Sequence, residues 1–156
     1  MKVLVECYHD TALVRSLGVT RQQIGHEHGK GNVLRQLSRW DGVAVGIVDA
    51  DPGKQDSNPG EMTKYRERQG AHDLRLMEHH DDQRKRLVVI DPTLEDWLLS
   101  RAGVCRLRLR EYGLPESAHA MHKPPRLDHK PGFHRFLADL AAADDGMKTL
   151  KKWLGM

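Results

Sequence analysis

The sequence predicts an α/β domain, with a mostly parallel sheet flanked by helices and a short helical extension at its C-terminal end. Strand-like and helix-like patterns alternate as β-α-β-α-β over the first half of the chain. Residues 43–48 are apolar throughout, as expected for a strand covered on both faces. Ligands of such sheets collect at the carboxyl ends of the strands. Candidate functional residues are therefore sought there.

The first half divides into three strands and two helices. The first strand is predicted at residues 2–6, and Asp10 or Thr11 can cap a helix that ends near Leu17. A second strand is predicted at residues 22–28. Asn32 can then cap a helix whose apolar residues recur at helical spacing as far as Trp40.

The second half is less regular. Residues 54–71 are polar and lack periodicity, which predicts a long surface loop or a poorly formed helix. Two strand-like runs flank a polar tetrad and predict a hairpin. A helix with an apolar stripe around Trp97 follows, and we expect Trp40 and Trp97, which complete apolar stripes at helical spacing, to be largely buried. Residues 104–112 are ambiguous between strand and helix. Residues 123–131 form a proline-rich loop, and helices near 132–143 and 147–154 complete the predicted elements.

Charge is unevenly distributed along the chain. Residues 1–102 carry 15 Lys or Arg against 16 Asp or Glu, a net −1, whereas residues 103–156 carry 10 against 6, a net +4. We therefore predict a catalytic domain at 1–102 and a basic, mainly helical extension at 103–156 packed on it. This asymmetry suits a polyanion held beside a metal centre.

The remaining composition favours a cytoplasmic protein. The sequence contains no run of about 18 apolar residues, so no membrane span is predicted. The N-terminal apolar run is too short for a signal peptide and contains an acid. The two cysteines are expected to be small, buried or half-buried thiols rather than a disulfide.

Three carboxylates follow predicted strands. Asp49 and Asp51 are two residues apart in extended chain, so both side chains can point the same way. Glu6 ends the first predicted strand, and neighbouring strands lie about 5 Å apart. Clustered carboxylates repel each other unless a cation lies between them, and hard oxygen ligands favour Mg²⁺ or Mn²⁺. The alternative is a simple turn after a strand, where Asp is common.

These residues resemble the signature of the Toprim family, which is a strand ending in Glu, a helix, and a strand ending in D-x-D. The resemblance rests on residues 3–10, 29–33 and 46–53. It implies that Asp49 and Asp51 hold Mg²⁺ and that Glu6 is a general acid/base or metal ligand. Cys7 stands where the family often has Gly, and Gly53 stands where topoisomerases have a third Asp, so a topoisomerase is not expected.

A second resemblance covers residues 92–99, which read PTLEDWLL. This segment looks like the P-x-x-E-x-W-L segment of small stand-alone Toprim-like proteins near the OLD and RloB nuclease groups. The resemblance implies Glu95 as a ligand of a second metal site. The alternative is that Glu95 only favours the dipole of its helix from the first turn.

Several basic residues are candidates for holding nucleic acid. Lys30, between two glycines, could hold a phosphate. Lys123, Arg126 and Lys130, in the proline-rich loop, could contact a phosphate, and Lys130 is also a catalytic candidate that would steady the transition state. Exposure to solvent is the alternative for each. His26 and His28 are expected to be surface residues, since no third zinc ligand has suitable spacing.

The function predicted from these features is a Mg²⁺- or Mn²⁺-dependent nuclease that hydrolyses DNA or RNA. The alternative is a catalytically silent Toprim-fold subunit that binds or regulates an ATPase partner. Because the sequence contains no ATP site of its own, that role would need a separate ATPase. A homo-oligomer is compatible with either. An Asp-nucleophile phosphatase is disfavoured, because D-x-D here follows the third strand and continues as Pro-Gly.

Overall fold

The computed structural model describes residues 1–54 and 59–156. Its first half contains the predicted alternation of strands and helices: β1 (Lys2–Val5), α1 (Tyr8–Ser16), β2 (Ile24–His26), α2 (Lys30–Arg39) and β3 (Ala44–Asp49). The second half contains α3 (Pro59–Met62), β4 (Tyr65–Ala71), β5 (Leu74–His79), β6 (Lys85–Ile90), α4 (Leu94–Val104), α5 (Ala118–Met121), α6 (Pro131–Ala143) and α7 (Asp145–Trp153). Short 3₁₀ turns occupy Arg21–Gln23, Leu109–Tyr112 and Leu127–His129.

The strands form one mixed sheet in the order β2-β1-β3-β6-β5-β4. The pairs β1–β2, β1–β3 and β3–β6 are parallel, whereas β5 pairs antiparallel with both β6 and β4. The predicted α/β fold class, a mostly parallel sheet flanked by helices with a helical C-terminal part, is confirmed. In register, Val5 lies opposite Ile47, and Asp49 lies opposite Ile90. The carboxyl ends of β1, β3 and β6 therefore meet at one edge.

Each face of the sheet carries its own core. Val3, Val5 and Ile47 pack on the side covered by α1, α4, α6 and α7, whereas Leu4 and Val48 pack on the side covered by α2. This explains why β3 is apolar throughout. The C-terminal helices thus contribute to the same core as β1 and β3. The division of the chain at residue 102 stays a prediction.

The two tryptophans expected in the core differ in burial. Trp97 on α4 is 1% exposed, and its indole N–H donates to the carbonyl of His72 at 2.7 Å. Trp40, which follows α2, is only half-buried at the edge of the second core. The expectation that both are largely buried is therefore correct for Trp97 alone.

The expectation of a loop or poorly formed helix at residues 54–71 is wrong for residues 65–71. β4 spans Tyr65–Ala71 and pairs with β5, although only Tyr65 is buried along it. An edge strand exposed on both faces carries no apolar alternation, so the pattern contained no strand signal. A short helix, α3, precedes it. Residues 55–58, within the same expected loop, lie outside the described residues.

Two helices begin earlier than predicted. Cys7 precedes α1 as its cap, and its backbone N–H donates to the Asp10 carboxylate at 3.0 Å. Asp10 therefore lies inside the first turn, buried at 3% exposure. Gly29 precedes α2 with φ +128°, a conformation that disfavours side chains, so the helix starts at Lys30 and not after Asn32.

A buried ion pair ties α4 to α7. The guanidinium of Arg101 donates to Asp144 at 2.6 and 2.9 Å, and both residues are buried. Asp144 also accepts the backbone N–H of Met147 at 3.0 Å and so caps α7. None of the described helices is long and apolar enough to cross a membrane.

Candidate functional site

Carboxylates converge at the edge where β1, β3 and β6 end. Glu6 follows β1, Asp49 ends β3, and Asp51 comes two residues later. Glu95 lies in the first turn of α4, which follows β6, and Asp10 joins them from α1. Each of these strands ends at this edge, where the chain leaves the core. Parallel pairing therefore carries acids that are far apart in sequence to one place.

The electrostatics show that these acids are close together. Burial raises the pKa of Asp49 to about 9, and the charges of Asp10, Glu6, Glu95 and Asp51 contribute to this increase. The pKa of Glu6 is raised to about 7, first by burial and then by Asp10 and Asp51, although a backbone hydrogen bond from Asp49 opposes the increase. Without a cation, the cluster therefore favours holding protons at neutral pH.

The loop after β3 is fixed by the segment that precedes α4. One oxygen of Asp49 accepts the backbone N–H of Leu94 at 2.9 Å. The backbone N–H of Asp51 donates to the carbonyl of Pro92 at 3.0 Å. Asp51 has φ +48°, a left-handed conformation that costs a non-glycine residue about 1 kcal/mol or more. The fold thus holds Asp51 in a strained position beside the other acids.

Glu95 is paired with two imidazoles. His9 Nδ1 lies 2.9 Å from one of its oxygens, and His122 Nε2 lies 3.4 Å from the other. Burial alone would raise the pKa of Glu95, but the hydrogen bond to His9 and the nearby histidine charges bring the pKa below its ordinary value. The role of Glu95 as a metal ligand stays a prediction, and both of its oxygens are occupied here.

A small cavity of about 220 Å³ opens beside this pair and is lined by Cys7, Tyr8, His9, Glu95, His122 and Arg126. The thiol of Cys7 donates to the Asp10 carboxylate at 3.1 Å. Burial and the Asp10 charge raise the pKa of this thiol, so it stays protonated. Cys7 is therefore a half-buried thiol, as expected, and a poor nucleophile.

The fit of the acids to a metal can be judged from their chemistry and placement. Glu6, Asp49 and Asp51 supply the hard oxygen donors that Mg²⁺ and Mn²⁺ prefer, and their repulsion would be relieved by a cation. Across residues 1–54 and 59–156, however, no three His, Cys, Asp or Glu side chains are arranged so that they could hold a metal ion. The donor chemistry fits, whereas the side chains would have to draw together around the ion.

The predicted basic residues differ in burial and in their contacts. Lys30 is 9% exposed at the start of α2, its ammonium lies 3.4 Å from the carbonyl of Ala50, and its charge lowers the pKa of Glu6. Arg126 lines the small cavity. Lys123 is exposed, and Lys130 is half-buried at the start of α6. Neither Lys123 nor Lys130 forms an ion pair with a carboxylate of the described residues.

The sequence analysis did not identify Asp10, His9 or His122 as parts of this region. Asp10 was assigned to a helix cap, although its position four residues after Glu6 places it at the same edge once α1 begins at Tyr8. His9 lies next to Asp10 in the Toprim-like segment 3–10. His122 had no local signal, because its contact with Glu95 depends on how the loop after α5 folds back.

Comparison with known proteins gave no match: no family model, no curated protein and no solved structure is similar to this chain. The resemblance to Toprim domains therefore rests on the motif residues alone.

Proposed function

We propose that this protein is a divalent-metal-dependent nuclease of Toprim type that hydrolyses phosphodiester bonds in DNA or RNA. The observation that carries the proposal is the convergence of Glu6 and Asp49 from neighbouring parallel strands, with Asp51 two residues beyond. Cavities at the carboxyl ends of parallel strands are where α/β proteins bind ligands. A group of buried carboxylates with raised pKa values is a frequent mark of a functional site.

In this proposal Asp49 and Asp51 hold Mg²⁺ or Mn²⁺, and Glu6 accepts a proton. A bound divalent cation would neutralise charge on the scissile phosphate. Glu6 would take the proton from the attacking water, whose oxygen forms the new bond to phosphorus. The bond to the leaving sugar oxygen breaks, and that oxygen takes up a proton from solvent to become a hydroxyl. Lys30 adds positive charge close to Glu6. The basic residues Lys123, Arg126 and Lys130 are proposed to contact the backbone of the nucleic acid.

The experiment is a cleavage assay of the purified chain with Mn²⁺ on single-stranded DNA, double-stranded DNA and structured RNA. Glu6→Gln should lower the rate by about 10²- to 10⁴-fold, because Gln keeps the shape of Glu but cannot accept a proton. Glu27→Gln is the matched control, since Glu27 follows β2 as Glu6 follows β1 but is not among the charges that raise the pKa of Asp49.

Two results would overturn this proposal. If Glu6→Gln cleaves like wild type, Glu6 is a structural residue at a strand end. If wild type cleaves none of these substrates, with or without an added ATPase partner, the alternative of a binding or regulatory subunit takes precedence.

A further inference from the structure

Four planar groups cluster at the surface beside Glu6. The guanidinium of Arg126 covers one face of the Tyr8 ring, with its carbon 3.4 Å from the ring centre. His26 meets Tyr8 edge to face, with ring centres 4.3 Å apart and planes at 73°, and the His26 and His28 rings lie 4.0 Å apart at 33°. Tyr8 is 41% exposed, although it is large and partly apolar. His28 is also exposed. The structural alternative is that these groups only pack on one another.

This cluster lies between two cavities. Tyr8 and His26 line a groove of about 470 Å³, whose other lining residues are Thr11, Arg15, Arg21, Ile24 and Asp128. Tyr8 also lines the cavity of about 220 Å³ beside Glu95. The Tyr8 ring therefore forms part of the boundary between the groove and the acidic region. A chain lying in the groove would reach the acids past this ring.

The groove is rich in positive charge. Arg15 and Arg21 are exposed along it, and Arg126 lies at its end. Its one lining carboxylate, Asp128, is held by Arg126 at 2.9 and 2.5 Å, and this pairing lowers the pKa of Asp128. Arginine beside exposed aromatic faces is the combination with which proteins hold single-stranded nucleic acid, because arginine contacts phosphates and rings stack on bases. In a duplex, the base faces are already stacked on each other.

We infer that Tyr8, His26 and His28 form a base-stacking platform, with Arg126 beside it to contact the backbone, and that this platform selects a single-stranded polynucleotide, which lies in the arginine-lined groove. This inference rests on the proposed function, because it names the substrate class of that site. It goes beyond backbone contacts, which would hold single strands and duplexes alike. DNA and RNA share this chemistry, so the experiment contains both.

The test measures binding in EDTA, so that no cleavage occurs. Fluorescence anisotropy would compare labelled oligothymidylate and oligouridylate of about 12 nucleotides, within the range of known single-strand sites, with a DNA duplex of the same length. Wild type should bind at least one single strand more tightly than the duplex. Tyr8→Ala should weaken that binding by about 5- to 150-fold, since one base–ring stack contributes about 1–3 kcal/mol. Its duplex binding should change less than about twofold.

Two further variants separate stacking from packing. Tyr8→Phe keeps the ring and should bind like wild type, whereas Tyr8→Leu keeps an apolar side chain without a flat face and should behave like Tyr8→Ala. His80→Ala, at an exposed histidine after β5, is the control and should have no effect. The urea midpoints of all variants would confirm that they fold.

Equal affinity for single strands and duplex, or a Tyr8→Leu protein that binds single strands like wild type, would refute the platform. These outcomes are distinct from failure of the proposed function, because the binding test contains no metal and needs no cleavage. Single-strand binding that depends on Tyr8 in a protein without nuclease activity would refute the nuclease and leave the platform standing.

Discussion

Replacement of Asp49 by Asn should stabilise the metal-free protein at alkaline pH. Asp49 is the acid whose pKa is raised furthest within the cluster, to about 9 from an ordinary value of 3.8, mainly by burial and then by its acidic neighbours. Asn has nearly the same shape, and its amide oxygen can still accept the Leu94 N–H. The substitution therefore removes the ionisable group and keeps the hydrogen bond that joins β3 to α4.

The direction of the change in stability with pH follows from proton binding by Asp49. Between the two pKa values, the folded state keeps a proton that the unfolded state has lost, so the stability present below about pH 4 is lost progressively as the pH rises toward about 9. Each tenfold difference in proton affinity corresponds to about 1.4 kcal/mol. At about pH 8, the upper limit of the free energy of unfolding that Asp49 removes is therefore roughly 6 kcal/mol. Glu6 and Asp10 share this repulsion, and we expect Asp49→Asn to gain about 3 kcal/mol.

Urea unfolding followed by tryptophan fluorescence, with EDTA present, measures this gain. The gain should be larger near pH 8 than near pH 5, where it should fall below about 1 kcal/mol. Asp41→Asn is the control, because Asp41 is exposed and precedes the start of β3, whereas Asp49 is its last residue. A gain that is the same at both pH values, or an Asp49→Asn protein less stable than wild type at pH 8, would refute the reasoning about a buried, mutually repelling cluster.

Three further predictions concern the metal, the core and the basic residues. Mn²⁺ should raise the melting temperature more near pH 8 than near pH 6, because the ligands must lose their protons, and calorimetry should detect no such binding in Asp51→Ala. Trp97→Ala should cost about 3–5 kcal/mol in urea unfolding, and Trp40→Ala roughly half as much because Trp40 is half-buried. Lys123→Ala with Lys130→Ala should weaken nucleic-acid binding, and the slope of log affinity against log salt should become shallower by about 0.7–0.9 for each phosphate that the protein no longer neutralises. An unchanged salt slope in anisotropy would contradict a role in backbone binding.

The parts of the fold that could be predicted are those in which burial leaves a pattern. β1 and β3 are covered on both faces, so their apolar runs marked them, and their parallel pairing placed Glu6 near Asp49. β4 could not be found, because it lies at the edge of the sheet and exposes most of its side chains. The start of α1 was also missed, because a cysteine is an unusual cap.

The surroundings of the acids were less predictable than the acids themselves. The contact between His9 and Glu95 joins residues 86 positions apart, and no periodicity connects α1 to the first turn of α4. Similarly, His26 and His28 were expected to be ordinary surface residues. Their contact with Tyr8 depends on the parallel pairing of β1 with β2, which places His26 opposite Val5, three residues before Tyr8.

Asp144 has two roles, because it pairs with Arg101 on α4 and caps α7, so the packing of α4 depends on the residue that starts α7. Arg101 is buried on α4 and has its carboxylate partner on the residue that also starts α7. Breaking such a buried pair from one side costs about 3–5 kcal/mol, because the remaining charge stays out of water. During synthesis the chain emerges N-terminus first, so the sheet can be assembled before Arg101 is neutralised. A ribosome-bound chain should therefore form stable native packing around α4 only after residue 144 has left the exit tunnel.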